Sequence, residues 1–250
     1  MARHSRLISL GLLTFLAAVV LFFPARVAYQ WFAPPVLQLS GIRGSIWHGS
    51  ASEASAHGIY LRELQWRIKP LSLLTAKLAY SVQSRFASGF LEADIATSIS
   101  GAVTVSDLSA SLPLTELQSV LGLPGLRGNL SVQFSRLRVV DGLPIAADGN
   151  VSIAQLAVPF IYRDAMGDFK AEFFTEESAE DATIVASFED GDALFDLAGS
   201  LQLSSDRSYR LLGQLAVTEN TPATLQQYFS AGLGAADARG QHEFRLEGIL

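Results

Sequence analysis

At 250 residues, 49% of them apolar and 17% charged, the chain can bury a sizeable core, which excludes a mainly disordered polypeptide. Its 18 Lys and Arg are scattered and outnumbered by 24 Asp and Glu, for a net charge of −6, so the basic stripe that nucleic acid requires is missing. Cysteine is absent, which removes disulfide scaffolds, thiolate metal sites and Cys nucleophiles together and fits a compartment where stray thiols oxidise.

The first element is an uncharged apolar run from Leu7 to Phe23, preceded by Arg3 and Arg6 and followed by Arg26. On an insertion scale its Leu, Ile, Val and Phe residues gain about −4 to −6 kcal/mol, which predicts a membrane-spanning helix. At about 1.5 Å per residue the run covers about 26 Å, short of a bilayer core of about 30 Å, so Pro24 to Ala28 are expected to complete it. Leu7, Leu10, Phe15, Leu21 and Phe23 are the expected anchor residues, with Tyr29, Trp31 and Phe32 as an aromatic belt on the far side. The positive flank then stays cytoplasmic and the bulk of the chain lies outside. A cleaved signal peptide needs small residues before the cut, and Phe23-Pro24-Ala25 and Arg26-Val27-Ala28 do not supply them. Residues 1–33 are therefore read as cytoplasmic flank and anchor, and residues 34–250 as one exported domain.

After Pro34-Pro35 the pattern changes to period-2 alternation, the mark of half-buried strands. A Gly-x-apolar-x-apolar element recurs from Gly101, Gly128, Gly149, Gly199 and Gly213, with a shorter form at Gly44-Ser45-Ile46-Trp47, and each glycine is expected to open a strand. Asp141-Gly142, Asp148-Gly149 and Asp190-Gly191 are expected hairpin turns, since Asp and Gly tolerate positive φ. Two short helices interrupt the strands. One runs near Pro113 to Leu121 and stops at Gly122; the other runs near Pro222 to Phe229, with Thr221 as cap and Leu225 facing the core. Gly101–Leu137 and Gly213–Gly248 share the order strand, helix, turn, strand, a weak internal repeat. The fold class is thus mainly β: a single N-terminal transmembrane helix, then an antiparallel, Gly-punctuated sheet with two short helices.

Little in the chain advertises catalysis. The histidines are His4, His48, His57 and His242; His48, Glu53 and His57 share a small-residue region, but their spacing fits no zinc template. Asp190, Asp192 and Asp196 offer hard oxygens without an EF-hand pattern, and Glu176 to Asp181 reads as a solvated loop. There is no nucleophile elbow and no phosphate-cradling Gly-rich loop. No catalytic residue, metal or cofactor is assigned. Trp47 and Trp66 are read as packing residues.

Gly41-Ile42-Arg43-Gly44-Ser45-Ile46-Trp47-His48-Gly49-Ser50-Ala51, directly after an apolar helix, resembles the opening signature of type II secretion system protein N, the general secretion pathway protein N family. Leu64 to Pro70, with Trp66, followed by Leu73-Leu74, is similar to that family's Leu-x-Trp-x-x-x-Pro segment, and Pro144 to Val151, with Gly149, to its Pro-x-x-x-x-Gly-x-Val strand. Ser204 to Gly213 and Arg239-Gly240 to Gly248-Ile249-Leu250 resemble its C-terminal repeat and closing strand, and Gly128 leads a further strand. The resemblance implies an inner-membrane, single-pass accessory of the apparatus that moves folded proteins from the periplasm across the outer membrane, with other inner-membrane subunits as partners. Gly44, Trp47, Gly49, Trp66, Pro70, Gly128, Gly149, Gly240 and Gly248 are then structural motif residues. The alternative is a lipid-handling protein like the AsmA-type periplasmic proteins, with a lipid held in an apolar groove.

Overall fold

The period-2 alternation becomes a 14-stranded antiparallel sheet among the described residues of the computed structural model, which are 2–33, 37–56, 58–70, 72, 78–86, 88–98, 101–177, 182–234, 236–237 and 239–249, with the side chains of 2–10, 17, 56 and 86 left out. In chain order the strands are β1 (Leu37–Ser40), β2 (Arg43–Gly44), β3 (His48–Ala56), β4 (Ile59–Ile68), β5 (Leu78–Phe86), β6 (Gly89–Thr97), β7 (Val103–Pro113), β8 (Arg127–Val140), β9 (Leu143–Val158), β10 (Tyr162–Glu177), β11 (Ala182–Ala193), β12 (Phe195–Ser204), β13 (Ser208–Val217) and β14 (Gln241–Ile249). From β3 onward each strand pairs with the next in sequence; β1 pairs β3, and β2 is a short extra partner of β3. The sheet is an open meander whose edges are β1 and β14.

So many strands cannot stay flat, and the twist is helped by bulges. Glu63, Asp107 and Gln155, non-glycine residues at φ of 51°, 50° and 52°, each lie where the register shifts, in β4, β7 and β9. Asp168 supports the last of these by accepting the Gln155 N–H at 2.8 Å.

One sheet face is apolar. A single row across β8 to β14 reads Phe134, Gly149, Phe173, Ala186, Leu201, Leu211, Leu246. Part of that face is covered by a 3-10 turn (Leu114–Leu117) running into α3 (Gln118–Leu121), and by α4 (Ala223–Leu233). Leu114 and Leu126 join Leu225 and Phe229 of α4 over Met166, Phe195 and Leu215. The expected sites of both short helices hold, and Gly122 ends the first at φ 65°. The stretches around 101–137 and 213–248 each fold as strand, helix and antiparallel return strand, with both helices feeding the same core.

The N-terminal reading is corrected. The chain forms α1 (Ala2–Leu21) and a separate α2 (Ala25–Phe32), and no helix among the described residues is long and apolar enough to cross a membrane, which overturns the expected spanning helix. The break is at Pro24. Residues 24–28, expected to lengthen the run, leave it: Pro24 bridges to Ser45, and Ala25 opens a helix whose buried side packs against Ile42 and Ala51. Phe15 and Leu21 are exposed, whereas the side chains of Leu7 and Leu10 lie outside the described residues.

The turns also depart from expectation. Asp141 (φ 49°) and Gly142 (φ 79°) do make the β8–β9 turn, but Asp148-Gly149 lies inside β9 and Asp190-Gly191 inside β11. The recurring glycines divide as well. Gly101 and Gly128 have positive φ beside the starts of β7 and β8, Gly44 has positive φ at the end of β2, and Gly149, Gly199 and Gly213 sit mid-strand. Of the acidic stretch read as a loop, Glu176 and Glu177 instead end β10, paired with Thr183 and Ala182, while residues 178–181 lie outside the described residues.

Candidate interaction surface

The motif from Gly44 to Gly49 ties the helices to the sheet. Gly44 turns the chain at φ 89°, where a Cβ would come within 2.6 Å of the His48 carbonyl oxygen, so only glycine fits. The Ser45 N–H donates to the same carbonyl at 2.9 Å, and the Ser45 hydroxyl oxygen accepts the N–H groups of Trp47 and His48. Held in this way, Trp47 donates its indole N–H to the Val20 carbonyl at 2.8 Å, and the Ile46 N–H donates to the Phe23 carbonyl at 3.1 Å. These bonds tie the end of α1 and the residues that follow it to the start of the sheet. Trp66, half-buried on β4, donates to the Ser45 carbonyl at 3.2 Å and lies across Gly49, where a Cβ would fall 2.4 Å from its ring. Both tryptophans bond to the scaffold, and Trp66 also packs against the cluster of Ala25, Ile42 and Ala51.

The corner between α1 and α2 presents aromatic surface to the outside. Phe23 and Trp31 meet at a tilt of 56° with ring centroids 6.0 Å apart, Trp31 meets Phe32 edge-on at 6.3 Å, and Trp31 and Phe32 are 68% and 77% exposed. Tyr29, expected in the same belt, instead turns inward: its hydroxyl donates to the Leu37 carbonyl and accepts the Leu39 N–H, each at 3.0 Å.

On the opposite, polar face of β2–β5 lies a cleft of about 480 Å³ bordered by Arg43, His48, Ser50, Gln65, Arg67 and Gln83. The alternation that sends Leu64 and Trp66 inward sends Gln65 and Arg67 into this cleft, and His48 stands across the ladder from Arg67. Among the described residues neither Arg43 nor Arg67 has an ion-pair partner, whereas Lys69 beyond the end of β4 is paired with Asp94. Two unneutralised guanidinium groups beside neutral hydrogen-bonding side chains suit a carboxylate or another oxyanion.

The model of the family described as Type II secretion system (T2SS), protein N matches residues 35–245, from just before β1 into β14. The chain belongs to that family. It is also similar to the Type II secretion system protein N of Vibrio cholerae serotype O1 (strain ATCC 39315 / El Tor Inaba N16961), 26% identical over 98% of this chain and 99% of that protein. No solved structure matches. As a member of the protein N family the chain is a component of type II secretion, and its partners are other parts of the secretion apparatus.

The remaining motif residues of this family member are dispersed through the sheet instead of gathered in one pocket. Pro70 is exposed just past β4, and Leu73-Leu74 lie outside the described residues. Gly128, at φ 136°, lets β8 bulge against Ala154 and Leu114. Gly149 lies under Phe134 and Gly248 under Tyr209, while Gly240, at φ 79°, turns the chain into β14. His57 is outside the described residues, and among those described no group of three could hold a metal. Asp190, one of the three hard-oxygen aspartates, accepts the Leu197 N–H at 2.7 Å, a strand-pairing role.

Sequence reading does not single out Arg43, Arg67 or Tyr29 as contact residues. The parity of β4 could have placed Arg67 beside Gln65, but its proximity to Arg43 depends on β2 folding back onto β3.

Proposed function

We propose that this family member is an accessory of the secretion apparatus at the inner membrane, with its sheet on the periplasmic side, working by protein–protein contact and not by catalysis. The observation that carries the reading is the cleft between Arg43 and Arg67, which is lined by Arg43, His48 and Ser50 of the segment that resembles the family's opening signature. An acidic segment of a partner subunit would place its carboxylates there, while the exposed Trp31 and Phe32 supply an apolar contact at the neighbouring corner. Docking by a few charged and aromatic anchors is weak in isolation and becomes sufficient when the partners are held in one assembly.

The lipid-handling alternative draws less support, because much of the apolar face it would use is occupied by packed clusters around Phe134, Ile184 and Phe195. The test is a double charge reversal, Arg43→Glu with Arg67→Glu, in a strain that depends on the system. Secretion is expected to fall by about ten-fold or more while the protein accumulates normally, since opposed like charges repel a partner that the arginines attracted. Unchanged secretion refutes the docking cleft, and phospholipid co-purifying stoichiometrically with the gently extracted protein would reinstate the lipid reading.

A further inference from the structure

The two edges of the sheet are treated differently. At β1 the outward carbonyl of Leu37 and N–H of Leu39 are both bonded to the Tyr29 hydroxyl, so that edge is closed to another strand. At β14 the N–H and carbonyl of Gln241 are taken by Asp237 within its own turn. Gln241 therefore points away from β13, and by alternation so do the backbone groups of Glu243, Arg245, Glu247 and Ile249. Among the described residues no side chain bonds to these groups, and the edge carries Leu246 and Ile249 at 56% and 78% exposure. Leu246 ends the apolar row that begins at Phe134, and it is the member of that row with no strand beyond it.

We propose that β14 pairs antiparallel with β14 of a second copy of this chain about a two-fold axis at Leu246, giving a closed dimer through a continuous sheet. Charge and geometry select this occupant and this register. Keeping the apolar faces on one side requires residues of like parity to oppose one another. Centring on Arg245 sets Arg245 against itself and Glu243 against Glu247 of the other copy, two pairings of which the first is repulsive and the second sets carboxylate against carboxylate. Centring on Phe244 brings Glu247 opposite Gln241, whose backbone groups are already used by Asp237. Centring on Leu246 opposes Arg245 and Glu247 twice, brings Leu246 against Leu246, and sets Phe244 opposite Gly248, repeating the aromatic-on-glycine pairing within the sheet at Gly213/Phe244 and Gly248/Tyr209. Because β1 is closed, a second copy cannot add head to tail, and the pairing ends at two chains. The inference stands apart from the docking cleft, which lies at the other end of the sheet.

The chain lacks cysteine, so single replacements report the register directly. Full-length Leu246→Cys, purified in mild detergent and mildly oxidised, is expected to form a disulfide-linked dimer, and Phe244→Cys at least about ten-fold less of it, because the 244 positions stand about 13 Å apart in this register and a disulfide spans less than about 7 Å. Glu247→Arg should abolish the dimer in the Leu246→Cys background, and adding Arg245→Glu should restore it, an exchange that a merely destabilised fold would not reverse. Cross-linking of the Phe244→Cys protein but not of Leu246→Cys, or cross-linking of neither with melting unchanged, overturns the proposal. A dimer insensitive to the charge exchange does the same.

Discussion

A glycine meets an aromatic ring across the ladder at Gly49/Trp66, Gly149/Phe134, Gly199/Phe188, Gly213/Phe244 and Gly248/Tyr209. Glycine inside a strand has no side chain to pack and loses more entropy on ordering than other residues. A ring laid over it recovers buried area and shields the backbone, so the pair is stable where glycine alone would not be. At Gly213 an added Cβ meets the Phe244 ring at 2.1 Å, with only ring atoms as its nearest neighbours. Gly213→Ala is therefore expected to destabilise the protein by about 1–3 kcal/mol. In a Phe244→Ala background the same change should cost nothing or stabilise slightly, and chemical denaturation of the four proteins measures this. The glycine spacing is visible in the sequence, but not the reason for it, because each ring comes from a different strand.

Among the elements, α4 shows best how far local signals reach. Pro222, expected at its first helical position, instead stands one residue ahead as the extended N-cap residue, and Leu225 is 0% exposed in the core, so Leu225→Ala should cost about 2–5 kcal/mol and lower the melting temperature in a thermal scan. Thr221, expected as the cap, makes no capping bond. Its buried hydroxyl accepts the Thr218 N–H at 2.8 Å and donates to the Leu194 carbonyl, latching the helix start to the β11–β12 connection. That role is illegible in the sequence because Leu194 is far away along the chain. Asp-Gly pairs behave in the same way: Asp141-Gly142 turns where two long strands end, whereas Asp148-Gly149 is held extended by partners on both sides.

Over the whole molecule, carboxylates stitch the strands together, and this sets a pH dependence. Asp148 accepts Arg136 Nε–H at 2.6 Å and the Thr175 N–H at 2.9 Å, where the β9–β10 ladder opens. Burial pushes its carboxyl upward, but the Arg136 and Thr175 hydrogen bonds outweigh it and leave the carboxyl below its ordinary 3.8. A carboxyl held lower in the folded state contributes stability above its unfolded value, and that contribution is lost as pH falls through the folded one. Asp237, bonded by the N–H groups of Gln241 and Arg239, and Glu247, bonded by Arg245 and Arg210, are lowered for the same kind of reason and act in the same direction. Stability should thus decline below about pH 4, and Asp148→Asn should lose stability at pH 7 yet approach the parent near about pH 2, as followed by urea midpoints.

The sequence by itself determined that this is a β protein, where its helices interrupt the sheet, that Asp141-Gly142 turns, and which family its motifs resemble. Those features follow from side-chain alternation, φ preference and residue order, all of which act over a few neighbouring residues. Only the tertiary structure decided that the N-terminal run breaks at Pro24, that Tyr29 closes one edge of the sheet while β14 stays open, that rings cover glycines, and that Arg43 and Arg67 share a cleft. Each of these depends on which strand lies beside which. Pairing is a contact between distant segments, and no local preference encodes it.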